Sequence, residues 1–116
     1  MAKSLIKQLT DDTEPEDVLR TGISLVLFGA PWCAPAEQMR PTLEALAKKH
    51  TGEITVYDYN VTEYNLRQSR ANIKGIPTLV IYNRGSYCKA LTGYQSLDKI
   101  EQLIEETVNH TVGFKS

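Results

Sequence analysis

Cysteine is scarce in this chain, with Cys33 and Cys88 its only two thiols, far apart in the sequence. Two thiols make neither a four-ligand metal site nor a disulfide framework, so each has to be judged by its own neighbours, and no metal or cofactor is expected. An excess of charge of one sign is lacking too. Thirteen Lys and Arg against fourteen Asp and Glu leave a formal charge of -1, and no basic run could line up against phosphates, which argues against a nucleic-acid partner. No apolar stretch approaches the roughly 20 residues that cross a bilayer. The opening Met1-Ala2-Lys3-Ser4 leads into a charged segment and not into an apolar secretory core, so no membrane partner and a cytoplasmic address are expected. Repeats, low-complexity tracts and linkers are missing as well. The 41% hydrophobic content of 116 residues suffices for one core without disulfide staples. One domain is therefore expected over residues 1–116, with 110–116 as a flexible tail.

What is present falls into short alternating elements. Ser4 to Leu9 suits a first strand. Thr13, Pro15 and Glu16 form a capping-box start for a short helix ending near Gly22. Ile23-Ser24-Leu25-Val26-Leu27-Phe28 is nearly continuous in apolar side chains, as a strand covered on both faces would be. After Gly29-Ala30-Pro31-Trp32-Cys33 comes a segment with Met39, Leu43, Leu46 and Ala47 at helical spacing; Pro41 should kink it and Gly52 end it. Ile54 to Tyr59 alternates like a strand, and Thr62 to Ala71 suits a polar helix. Thr78 to Tyr82, the turn Asn83-Arg84-Gly85, and Tyr87 to Leu91 read as an antiparallel hairpin. Ser96 can cap a last helix whose Leu97, Ile100, Leu103, Ile104 and Val108 form one apolar stripe. The pattern implies an α/β fold, a central mixed sheet flanked by helices on both faces.

The chemistry concentrates at Cys33, where a strand gives way to a helix. Free N–H groups and the macrodipole at a helix N-terminus stabilise a thiolate, the form in which sulfur is a nucleophile. Pro35 preorganises the first turn without wasting a donor, and Trp32 sets a large amphipathic ring beside the sulfur, able to cover a bound peptide. The alternative is a buried, inert cysteine, against which Pro and Trp at a turn weigh. Ala36 matters as much. A Cys-x-x-Cys pair works because the second sulfur attacks the mixed disulfide made by the first, and here that sulfur is missing. The chain can attack a partner and stay attached until an external thiol releases it. Cys88, in an alternating strand, suits a packing role. Pro77 stands just before a strand, where proline is tolerated.

With these residues in hand, the chain resembles the thioredoxin family over nearly its whole length. The apolar strand, Trp32-Cys33-Ala34-Pro35-Ala36, Pro41, Gly75-Ile76-Pro77-Thr78, the Asn83-Arg84-Gly85 hairpin and Gly93 before the last helix come in family order and at family-like spacing. The resemblance implies the thioredoxin fold, Cys33 as attacking thiol, Ile76-Pro77 as a cis peptide facing it, and a substrate groove formed by Trp32, Pro35, Ile76, Pro77 and Gly93. It also implies protein disulfide or thiol substrates, a thioredoxin reductase as a partner, and a monomer. Three departures limit the transfer. Ala36 replaces the resolving cysteine, Leu27 stands where the family typically has a buried aspartate, and Glu37 replaces a common lysine one turn after Cys33, which should work modestly against the thiolate. Two readings lead, ahead of a glutathione-dependent monothiol enzyme, for which the sequence has no distinctive glutathione-site pattern. One is a thiol-disulfide oxidoreductase whose resolving cysteine has been replaced, so that it traps mixed disulfides. The other is a natural monothiol module that binds proteins without turnover.

Overall fold

The computed structural model describes residues 5–9, 22–30, 32–61 and 75–113, with side chains up to residue 107. Five strands form one mixed sheet: β1 (Ile6–Gln8), β2 (Ile23–Gly29), β3 (Ile54–Asn60), β4 (Thr78–Asn83) and β5 (Ser86–Thr92), in the order β1-β3-β2-β4-β5. Two helices are described, α1 (Ala34–Lys49) and α2 (Leu97–Gly113). The helices expected before Gly22 and between Thr62 and Ala71 lie outside the described residues.

β2 is central because it is apolar on both faces. All seven of its residues are buried, parallel to β3 on one side and antiparallel to β4 on the other. Its odd-numbered side chains Leu25 and Leu27 join Leu79 and Ile81 of β4 under Met39, Leu43 and Leu46 of α1 and Ile100 of α2. Each such side chain, removed from water, contributes about 1.5–3 kcal/mol. The opposite face holds Val26, Phe28, Tyr57, Tyr59 and Val80, with the Phe28 and Tyr59 rings tilted at 5.0 Å between centroids. Both described helices pack on the first face.

α1 continues unbroken through Pro41 to Lys49. The proline ring takes an exposed position there, and the apolar stripe on either side holds both halves of the helix to the sheet. α2 starts at the expected cap, where Ser96 Oγ accepts the Lys99 N–H at 3.3 Å. It continues past His110 to Gly113, beyond the point where the sequence suggests a frayed tail. Once a helix is nucleated, each further turn costs little.

The β4–β5 hairpin turns on Arg84 (φ 53) and Gly85 (φ 87), the two positive φ values that match strand twist in a two-residue loop. Beyond the turn the register slips. Tyr82 pairs with Tyr87 and Ile81 with Lys89, so Cys88 is the extra residue of a bulge. The simple alternation expected around Cys88 is thus interrupted at the cysteine itself, which is half-buried with its Sγ donating to the Ser86 carbonyl at 3.4 Å.

Candidate active site at the strand-to-helix junction

Strand register brings distant pieces of sequence to one end of the sheet. Thr78 lies opposite Phe28 on one side and Thr92 on the other, so the residues just before β4 and just after β5 flank the C-terminal end of β2. Ile76, Pro77 and Gly93 therefore lie at the same end of the sheet as Gly29 and the helix start that Cys33 caps. The Ile76–Pro77 peptide bond is cis. Thr78 Oγ1 donates to the Gly75 carbonyl at 2.6 Å, and the Gly93 N–H donates to the Pro77 carbonyl at 2.8 Å. Gly93 has φ +87, a backbone region that side chains rarely enter, which explains a glycine at this turn. On the other flank, the Val61 N–H donates to the Gly29 carbonyl at 3.0 Å.

Cys33 is the N-cap residue of α1, in extended conformation (φ -90, ψ 96), with its N–H donated to the Ala30 carbonyl at 3.0 Å. Its carbonyl accepts the first helical bond, from the Glu37 N–H at 3.1 Å. No side chain caps the helix start, and Pro35 sits in its first turn. A sulfur at this position shares the dipole end of a helix of 16 residues. Cys33 is buried, only 5% exposed, while Trp32 beside it is 71% exposed. The small side chains of Ala30 and Ala36 belong to the same core cluster as Cys33 and let it settle at the end of the sheet.

Ala36 is fully buried, and α1 lies so close to β2 here that a Cβ on Gly29 would stand 3.0 Å from the Ala36 Cβ. Position 36 is thus inside the core, one turn from Cys33. Leu27, also fully buried, pairs in register with Asp58 of β3. The Asp58 carboxylate receives Arg40 Nη1 at 2.6 Å, and Arg40 Nε reaches Glu37 Oε1 at 3.0 Å. Burial pulls the Arg40 guanidinium down, but its bonds to Asp58 and Glu37 outweigh that and raise it further above the ordinary arginine range. The Glu37 charge, expected to act against a thiolate, is therefore partly neutralised by its neighbour. Sequence reasoning missed this Glu37–Arg40–Asp58 chain. The spacing of Glu37 and Arg40 was a usable signal, but the strand partner was not.

At the other end of the sheet a cavity of about 440 Å³ opens between α1 and α2, with Ile23, Leu46, Ile54 and Ile104 as its floor. Glu101 spans it, receiving Lys49 Nζ at 2.8 Å and lying 3.4 Å from His50 Nε2. Among the described residues no cluster of His, Cys, Asp and Glu could hold a metal ion. Among them, too, no helix is long and apolar enough to cross a membrane.

A mixed five-stranded sheet with a cysteine heading the helix after its central strand, and a cis-proline at the same end of the sheet, defines the α/β class of this protein. The Thioredoxin family model matches residues 5–106. Thioredoxin from Rhodospirillum rubrum is 35% identical over 104 residues, covering 89% of this chain and 100% of the relative. Thioredoxin from Alicyclobacillus acidocaldarius is 37% identical over 84 residues, covering 72% of this chain and 80% of the relative. In three dimensions the chain is similar to a mutant thioredoxin from Halobacterium salinarum, with a TM-score of 0.80 at 28% identity over 92% of this chain and 95% of the other. The chain belongs to the thioredoxin family.

Proposed function

We propose that this chain exchanges thiols with disulfides of partner proteins through Cys33 and, lacking a sulfur at position 36, holds the resulting mixed disulfide instead of completing a dithiol cycle. The observation that carries the reading is the position of Cys33 as N-cap of α1, with no side chain competing for the first N–H groups. In the exchange, the Cys33 thiolate attacks one sulfur of a partner disulfide. The S–S bond breaks, its electron pair leaves on the second sulfur as a thiolate, and a Cys33–partner disulfide remains. Resolution then needs an external thiol, because Ala36 offers none. Trp32, Pro35, Ile76, Pro77 and Gly93 frame the entry to the sulfur, and the partners are protein disulfides or thiols and a thioredoxin reductase, in the cytoplasm, with the chain acting as a monomer. The test is to restore Ala36→Cys and measure thiol-dependent reduction of a protein disulfide. A gain over the present chain is expected, and none would refute the proposal.

One observation favours a second reading, a protein-binding module without chemistry: Cys33 is almost covered. Partner capture by a Cys33→Ser form separates the two. Loss of capture fits exchange, and retention at full strength fits the binding module.

A further inference from the structure

The cavity between the last turn of α1 and α2 lies at the opposite end of the sheet from Cys33, and the exchange chemistry makes no use of it. Two strands and two helices each give its floor one branched aliphatic side chain: Ile23 from β2, Ile54 from β3, Leu46 from α1 and Ile104 from α2. Leu46 is fully buried and the three isoleucines are 7% exposed, so the floor is fixed by the core beneath it. Its volume of about 440 Å³ falls within the range of about 300–1,000 Å³ that small-molecule sites occupy.

The rim is charged, and mostly of one sign. Three carboxylates, Glu53, Glu101 and Glu105, face one ammonium, Lys49, and one imidazole, His50. Lys49 is engaged by Glu101 at 2.8 Å, and His50 Nε2 lies 3.4 Å from the same carboxylate oxygen. Those two contacts hold the Glu101 carboxyl below the usual glutamate range, so it stays ionised near neutrality. Among the described residues, Glu53 has His50 Nδ1 at 3.7 Å, and Glu105, one turn beyond Glu101 on α2, makes no ion pair. His50 is also the C-cap of a helix of 16 residues, so the negative end of that helix dipole lies at the same rim. An apolar floor under a net negative rim suits an apolar body that carries a positive charge. An anion would meet two carboxylates with little to neutralise them, and a neutral body would leave them without a partner.

We propose that this cavity is a binding site for a small organic monocation, an amine with a single-ring apolar body, whose body lies on Ile23, Leu46, Ile54 and Ile104 and whose ammonium faces Glu53 and Glu105. Binding makes and breaks no covalent bond and needs neither Cys33 nor position 36.

The probes are phenethylamine, its neutral counterpart phenethyl alcohol and the anion hydrocinnamate, each titrated at neutral pH into the full chain with isotope-labelled methyl groups. The methyl signals of the four floor residues should move with phenethylamine. It should bind about three- to tenfold more tightly than the alcohol, the scale of two exposed charge contacts, with the carboxylate weakest. In the double variant Glu53→Gln, Glu105→Gln the preference for the amine over the alcohol should fall towards one, while the methyl signals of Leu27 and Leu79 report that the core is intact. Both substitutions lie at exposed positions and leave the Lys49–Glu101 pair in place. Equal affinity for amine and alcohol, an amine preference unchanged in the double variant, signals that move only elsewhere, or no movement with any probe each overturns the proposal. The Cys33→Ser form should bind the amine as the unsubstituted chain does, and a loss there would put the cation at the other end of the molecule and overturn this site as well.

Discussion

Arg40 Nη1 lies 2.6 Å from Asp58 Oδ2, a charge pair that fastens α1 to β3 about two turns beyond the helix start that holds Cys33. Asp58 is also the register partner of Leu27. A carboxylate thus lies one strand away from the position where the family typically has a buried aspartate, but a guanidinium already holds it. The arrangement fixes the helix to the strand and leaves the carboxylate engaged with Arg40.

Replacing Arg40 by Met keeps most of the side-chain volume and removes the charge. The Asp58 side chain, 14% exposed, would then lose its cation. The cost lies between that of an exposed pair and a buried one, about 1–2 kcal/mol. Urea unfolding should show a lower midpoint with unchanged slope. Glu37 would be released at the same time, so alkylation of Cys33 at neutral pH should slow by less than about threefold. Faster alkylation would contradict the account of Glu37 given above.

Gly29 and Ala36 form the closest approach of α1 to β2 at the site. Gly29→Ala places a Cβ 3.0 Å from that of Ala36, so the helix start must shift by a few tenths of an ångström. A loss of about 1–3 kcal/mol is expected, as for overpacked cores. Adding Ala36→Gly removes the clash but weakens the helix by about 1 kcal/mol. Thermal unfolding of the two single variants and the double variant forms the check, and the double variant should be more stable than the sum of the single losses implies.

Much of this was legible beforehand because it follows from local pattern. The apolar run at Ile23 announced the central strand, Ser96 announced a cap, and the turn residues at Arg84 and Gly85 announced the hairpin. Family motifs singled out Cys33, Pro77 and Gly93, which the strand register brings to one end of the sheet. What could not be read depends on the third dimension. The bulge at Cys88 comes from a register slip that no single-strand pattern encodes. The burial of Cys33 depends on how closely α1 settles on Ala30 and Gly29, and the Arg40–Asp58 pair joins residues whose proximity only the sheet order creates.

Glu101 gives a pH signature at the far end of the molecule. Hydrogen bonds from Lys49 and His50 hold its carboxyl below the usual glutamate range. The native chain therefore binds this proton less readily than the unfolded chain, and ionised Glu101 stabilises the fold. That contribution is complete above the ordinary value of 4.5 and is lost as pH falls through the lowered native value. Urea midpoints recorded from neutral pH down to about pH 3 should converge for the unsubstituted chain and Glu101→Gln. A gap of constant size would mean that the ion pair is not the source of the difference.

Leu27→Asp should give the opposite sign. Leu27 is fully buried in one cluster with Leu25, Ala36 and Leu79, and its register partner Asp58 already holds Arg40. Burial disfavours the charged form, so the native state would raise the new carboxyl above its unfolded value and bind its proton more tightly than the unfolded chain. Stability would then be lowest at neutral pH, by about 2–4 kcal/mol or more, and would recover as pH falls towards the unfolded value of about 4. Combining Leu27→Asp with Asp58→Asn frees Arg40 to serve the new carboxylate. The neutral-pH loss of the double variant should be smaller than the two single losses together, and additive losses would show that Arg40 cannot reach position 27.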